Sequence, residues 1–243
     1  MVNIETLQDI CNLSESVELE CKLAAGRDGK GQLPKDFWPT YSNSTNNQDQ
    51  KILSGFDLHD IDIESLHRYR QMLSSLRPDH PWNALPDQEF LCVQGGFRQD
   101  RQSGEKGLTL AGLLMFGQWP SIQEAVPDYF VDYQEQGEDK GSHTRWLDRV
   151  IPDGTWSGNI FDFFLRISRK LTADLKVPFL LKGHVRQDDT LLHRALREAL
   201  VNTLVHADYS DRASILIKKD PEGFLFRNPG LMRVPTEQAL QGG

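Results

Sequence analysis

In the last third of the chain, Glu198, Asn202 and His206 recur at intervals of four within the run from Arg197 to Tyr209. At 3.6 residues per turn they fall on one stripe of a helix, aligning a carboxylate, an amide and an imidazole. Such a stripe can hold a divalent cation through oxygen ligands, with phosphates and waters completing its shell, and the carboxylate can act as a general base towards a bound water. The same spacing is also what the polar face of any amphipathic helix offers, and Ala195, Leu196, Ala199, Leu200, Thr203 and Leu204 are available for burial on its other side. At this level the two readings stand together.

The elements that must position these residues are legible from pattern. Thr190 to His206 reads as one helix. Ser214–Ile217 and Phe224–Phe226 read as two strands joined through Asp220-Pro-Glu-Gly223, a turn by composition, and the second strand runs into Asn228-Pro229-Gly230. Upstream, a helix is expected from Asp62 to Arg77, where Pro78 ends it, and another from Asp87 to Val93, stopped by Gly95-Gly96. Thr109 is a good N-cap for an apolar helix over 110–116 closed by Gly117. Tyr129, Val131 and Tyr133 alternate with polar residues as a strand does, and Ser157–Leu171 reads as a helix with Arg166, Arg169 and Lys170 near its end. Cations there suit the negative end of the helix dipole and need no ligand. Near the start, residues 3–13 have helical spacing, and Val17, Leu19, Cys21 and Leu23 alternate as a strand.

Composition narrows the function classes. The chain has 243 residues, with 27 Lys plus Arg against 35 Asp plus Glu, a formal charge of −8. That balance is globular and argues against a uniformly basic nucleic-acid coat, while leaving room for a local basic face. No apolar run reaches the roughly 20 residues of a membrane helix, and the first residues carry neither a basic nor an apolar leader region. The expected location is cytoplasmic, without membrane association. Three scattered cysteines, Cys11, Cys21 and Cys92, build neither a disulfide framework nor a zinc cluster.

The order REALVNTLVHADYS, strand pair, NPG resembles the N-box and following nucleotide-site elements of the GHKL ATPase superfamily. It is more closely similar to the divergent GHKL-like domain of bacterial proteins described as RecG-like helicases or transcriptional regulators. In those proteins the domain follows a Schlafen-type AlbA, or divergent AAA, module. The resemblance extends through GLTLAGLLMFG, DYFVDYQE, RWLDRVIPDGTWSGNIFDFF and VPFLL, and so covers most of residues 50–243. It implies Glu198 as the N-box base, Asn202 as the residue holding magnesium against the phosphates of ATP, and His206 as the end of the box. Asn228 stands where active members have the adenine-reading aspartate, and Gly230 matches the glycine after it. The departures are the amide at Asn228, the stiffening Pro229, Met232 in place of a second glycine, and no glycine-rich lid before Gly243. They imply a domain that does not hydrolyse ATP.

Ser16–Lys22 followed by Leu33-Pro-Lys35 resembles the opening of the AlbA-type domain without its centre. Lys22 and Lys35, with Arg27 and Lys30, are the residues that would contact DNA phosphates. The expected architecture is α+β. It comprises a fragmentary AlbA-like unit at 1–42, a linker or missing segment at 43–50, a helix-rich central region at 51–185, and an incomplete GHKL-like α/β sandwich at 186–243. The expected function is a DNA-binding transcriptional regulator. The alternatives are a magnesium-dependent ATPase and an oligomerisation scaffold in which the chain pairs with itself.

Overall fold

Asp62 turns an extended segment into the first helix by accepting a hydrogen bond from Ser65 N at 3.0 Å. This helix, α1, spans Ile63–Leu76 and ends where Pro78 forbids continuation. The chain is seen in a computed structural model that describes residues 49–137, 146–173, 175, 181–182, 185–186 and 190–230. The expected elements at 3–42, together with Lys22, Lys35 and Met232, lie outside the described residues.

Helix α2, Asp87–Gln94, is capped by Gly95. A hairpin that the sequence pattern did not reveal follows, pairing β1, Phe97–Gln99, with β2, Lys106–Leu108. Its strands are only three residues each, too short to display a period of two. Helix α3, Leu110–Phe116, starts at Thr109, whose hydroxyl accepts from Gly112 N at 3.1 Å and donates to Gly95 O at 2.8 Å. Every residue from Ala111 to Phe116 is buried, as its all-round apolar sequence requires. Helix α4, Trp119–Ala125, begins with Pro120 in its first turn.

The expected linker at 43–50 reaches into this packing. Asp49 is buried, and its carbonyl accepts from Ala111 N at 3.0 Å. Asp49 and Gln50, the last two residues of that segment, take part in this packing, and Gln50 Oε1 accepts from Arg98 at 2.8 Å.

Strand β3, Val131–Glu135, pairs antiparallel with β4, Asp148–Val150. Helix α5 spans Ile160–Thr172. It starts three residues later than Ser157 because Gly158 has φ +70° and Asn159 supplies the cap, accepting from Asp162 N at 2.9 Å. Two short strands, β5 at Leu181–Lys182 and β6 at Val185–Arg186, form a separate pair. Then come helix α6, Leu191–Val205, and the expected hairpin of β7, Ile215–Asp220, with β8, Gly223–Arg227.

Strand β7 pairs parallel with β3 over five residues, from Val131 opposite Ile215 to Glu135 opposite Lys219. The result is a four-stranded mixed sheet of order β4-β3-β7-β8. The fold is α+β, and the division drawn at 185/186 runs between two segments that share this sheet. One face presents Val131, Tyr133, Ile215 and Ile217 to the core, where α3, α5 and α6 contribute Leu113, Phe116, Phe161, Leu200 and Leu204.

A buried polar knot ties α1, α3 and α5 together. The Asp162 carboxylate accepts from Ser65 Oγ at 2.9 Å, from Ser157 Oγ at 2.7 Å and from Arg68. Asn159 Nδ2 donates to Ser65 Oγ at 3.1 Å and to Gly117 O at 3.3 Å. A buried carboxylate with this many donors is compensated for the water it has lost. Among the described residues, no helix is long and apolar enough to cross a membrane.

Gly112 lies where α3 crosses the backbone at Gly96, and a Cβ there would overlap the Gly96 carbonyl. Alanine in a helix interior ordinarily gains about 1 kcal/mol over glycine. At Gly112 the sign is expected to reverse, with Gly112→Ala losing about 1–3 kcal/mol through overpacking. Thermal unfolding tests this, and an equal or higher Tm for the variant would contradict the close contact.

Candidate functional site

The expected N-box helix forms as read. Thr190 caps α6 by accepting from His193 N, and His206 closes it, its N–H donating to Asn202 O at 3.1 Å. Leu196, Leu200, Val201, Leu204 and Val205 are buried, which fixes the rotation of the helix about its axis. Glu198 and Asn202 are half-buried and His206 is exposed, so the stripe lies away from the buried face. Glu198 Oε2 itself is shielded from solvent.

Beyond His206 the chain is held by two residues that the sequence reading passed over. Tyr209 is buried, its hydroxyl donates to Leu204 O at 2.7 Å, and its ring sits 5.5 Å from that of Tyr129 beside β3. Asp208 accepts from Ser210 N at 3.0 Å and from Ser210 Oγ, forming a side-chain-stabilised turn. The Asp-x-Ser spacing at 208–210 was the available signal for that turn. No local periodicity signals the role of Tyr209, because its partners are the helix end and a tyrosine eighty residues away.

These two residues bring the second expected element to the first. Asp208 N donates to Pro229 O at 2.9 Å, which fastens the Asn228-Pro229-Gly230 loop against the end of α6. Pro229 is buried, whereas Asn228 and Gly230 are exposed. Gly230 has φ +119°, a conformation costly for any other residue, and a Cβ there would stand 3.4 Å from Asp208 Cβ. Residues 22 positions apart in sequence, Asp208 and Gly230, thus meet at one corner of the fold, two residues beyond His206.

Three recesses of about 160, 450 and 600 Å³ are lined by other side chains, and none takes in Glu198, Asn202, His206, Asn228 or Gly230. Among the described residues, no group of three or more His, Cys, Asp or Glu side chains is placed to hold a metal ion. Any cation at the stripe would therefore take Glu198 and Asn202 as protein ligands and depend on phosphate or water for the remainder.

The outer face of the sheet carries a second polar arrangement. Asp132, on the face of β3 opposite Val131 and Tyr133, is buried beneath Arg149, which donates to it at 3.0 Å and 2.9 Å. The hydrogen bonds that Arg149 donates to Asp132 outweigh the cost of burial and hold its pKa above the ordinary arginine value. Trp146 covers that guanidinium at 4.4 Å from its ring centroid, and Trp156 stacks on Phe163. Both tryptophans serve packing.

Comparison with known proteins adds fold-level relations. A family model described as a domain of unknown function, DUF8451, matches residues 40–132. Among solved structures, the chain is similar to the DIP2311 protein from Corynebacterium diphtheriae, with a TM-score of 0.51 and 18% identity. That likeness covers 81% of this chain and 35% of the neighbour, so the chain spans about a third of that protein's length. The two share a fold. A search of curated proteins finds no match.

The Asp208–Pro229 hydrogen bond makes the coupling of loop and helix end measurable. Hydrogen exchange is expected to show the Asp208 amide protected in the wild type and exposed in Gly230→Ala, where positive φ strains the loop. Equal protection in both proteins would show that the loop does not depend on Gly230.

Proposed function

We propose that residues 186–243 form a degenerate GHKL-like unit that binds an adenine nucleotide with magnesium without hydrolysing it, within a DNA-binding transcriptional regulator. The observation that carries the reading is the Asp208–Pro229 contact, which sets the 228–230 loop beside the helix bearing Glu198, Asn202 and His206. In the resembled superfamily, the corresponding elements flank the nucleotide. The order of helix, antiparallel hairpin and returning loop supports the same assignment.

The donor chemistry fits a magnesium nucleotide in part. Glu198 and Asn202 on adjacent turns would hold the cation through hard oxygen ligands, with phosphates supplying the rest. Bound there, magnesium would supply charge neutralisation for the triphosphate. Glu198 would orient a water, and Asn202 would hold the cation side of the phosphates. The amide at Asn228 supplies an acceptor for the adenine amino group without the charge of an aspartate. The departures from the active pattern at Asn228 and Pro229 support binding without turnover.

DNA association rests on the sequence resemblance at residues 16–35 and on Lys22 and Lys35. Such contacts would be electrostatic and sequence-independent, weakening steeply with salt.

Titration calorimetry with ATP and magnesium should show saturable binding to the wild type, weakened about tenfold or more by Asn202→Ala. Phosphate release should stay at the background rate. Equal binding by both proteins, or none, rejects the nucleotide site and favours the scaffold reading, while Asn202-dependent phosphate release establishes the ATPase instead. In a parallel arm, duplex DNA should bind in a salt-dependent way that Lys22→Glu with Lys35→Glu abolishes. No affinity at low salt would remove the DNA reading.

A further inference from the structure

Three cations close α5, and the structure separates their roles. Arg166 lies over the Trp156 ring, 5.0 Å from its centroid, and Lys170 pairs with Asp148 across from β4. Those two act in packing. Arg169 is exposed, and among the described residues its guanidinium has no ion-pair or hydrogen-bond partner.

Arg169 instead lines a recess of about 160 Å³ between α5 and α6. Leu171 and Leu196 give the recess an apolar lining, and Ser168, His193 and Arg197 bring polar groups to it. His193 is buried and uses Nδ1 on Thr190 Oγ1 at 2.7 Å, so Nε2 is its remaining polar atom. Ser168 Oγ is buried without a hydrogen-bond partner among the described residues, a state that ordinarily carries a cost.

The recess is distinct from the nucleotide corner. At about 100° per residue, positions 193, 196 and 197 of α6 cluster on one side of the helix, while 198, 202 and 206 centre on the opposite side. The buried Leu200 and Leu204 share the recess side, which faces α5.

We propose that this recess binds a small organic phosphate monoester. Arg169 and Arg197 line the recess from different helices, and two arginines suit a phosphoryl dianion with three oxygens better than a single carboxylate, which one arginine can satisfy alone. The imidazole adds a third donor. The leucine lining calls for an apolar substituent on the phosphate, and the volume, about that of five liquid waters, limits it to a small one. This site does not depend on the nucleotide reading.

The test uses phenyl phosphate as the probe, with inorganic phosphate and a short DNA duplex as comparison arms, all by titration calorimetry on the full chain. Phenyl phosphate is expected to bind saturably and more tightly than inorganic phosphate. Arg169→Gln and Arg197→Gln should each weaken it about tenfold or more, through loss of a charge-assisted hydrogen bond. Asn202→Ala should retain phenyl phosphate binding, which separates this outcome from failure of the nucleotide site. Because Arg169 is exposed, Arg169→Gln should unfold at the wild-type temperature, and it decides the matter if Arg197→Gln does not fold. No saturable binding, or equal binding by the wild type and Arg169→Gln, overturns the proposal. Displacement of phenyl phosphate by the duplex also overturns it, because the recess would then read a nucleic-acid backbone.

Discussion

The parallel pairing of β3 with β7 is the constraint on which the rest of the fold depends. Parallel neighbours cannot be joined by a tight turn, so the chain first pairs β4 along one edge of β3 and then crosses over before β7 pairs along the other, eighty residues after β3. The crossover contains α5 and α6. Without the pairing, β7 and β8 would be an isolated hairpin, marginal in water, and α6 would lack the sheet against which its apolar face is buried. Tyr129, two residues before β3, and Tyr209 after α6 meet because the pairing brings Val131 opposite Ile215.

Much of this architecture is written locally. The caps at Asp62, Thr109 and Thr190 and the stops at Gly95 and Gly117 place helix ends through hydrogen bonds within a few residues, so composition alone locates them. The hairpin at 215–227 is legible for the same reason, since strand alternation and a Pro-Glu-Gly turn lie in one window. Illegible were the features set by distant partners. Asp132 follows the pattern of a solvent-facing acid, yet Arg149 and Trp146 bury it from across the sheet. Ser157 follows the pattern of a helix, yet its hydroxyl belongs to the Asp162 knot and the helix waits for Asn159.

The site divides along the same line. The Glu198–Asn202–His206 stripe is a consequence of helical period and needs no tertiary information. Its union with Asn228 and Gly230 needs the Asp208–Pro229 bond, Tyr209 and the positive φ of Gly230 together. The rotation of α6 then assigns its two sides different roles. One is turned towards α5 and lined by Leu196, His193 and Arg197, and the other carries the stripe. The cations of α5 show how incomplete a dipole argument is on its own. It accounts for their location at the helix end but not for the separate partners of Arg166 and Lys170, nor for Arg169 at the recess.

If the stripe on α6 and the 228–230 loop form one nucleotide-binding corner, as proposed, the test is amide chemical-shift mapping during titration with magnesium and a non-hydrolysable ATP analogue. Saturable shifts are expected at Glu198, Asn202, His206, Asp208, Asn228 and Gly230 with a common dissociation constant. Unchanged amides at those positions under saturating nucleotide, or shifts confined to other surfaces, would contradict it.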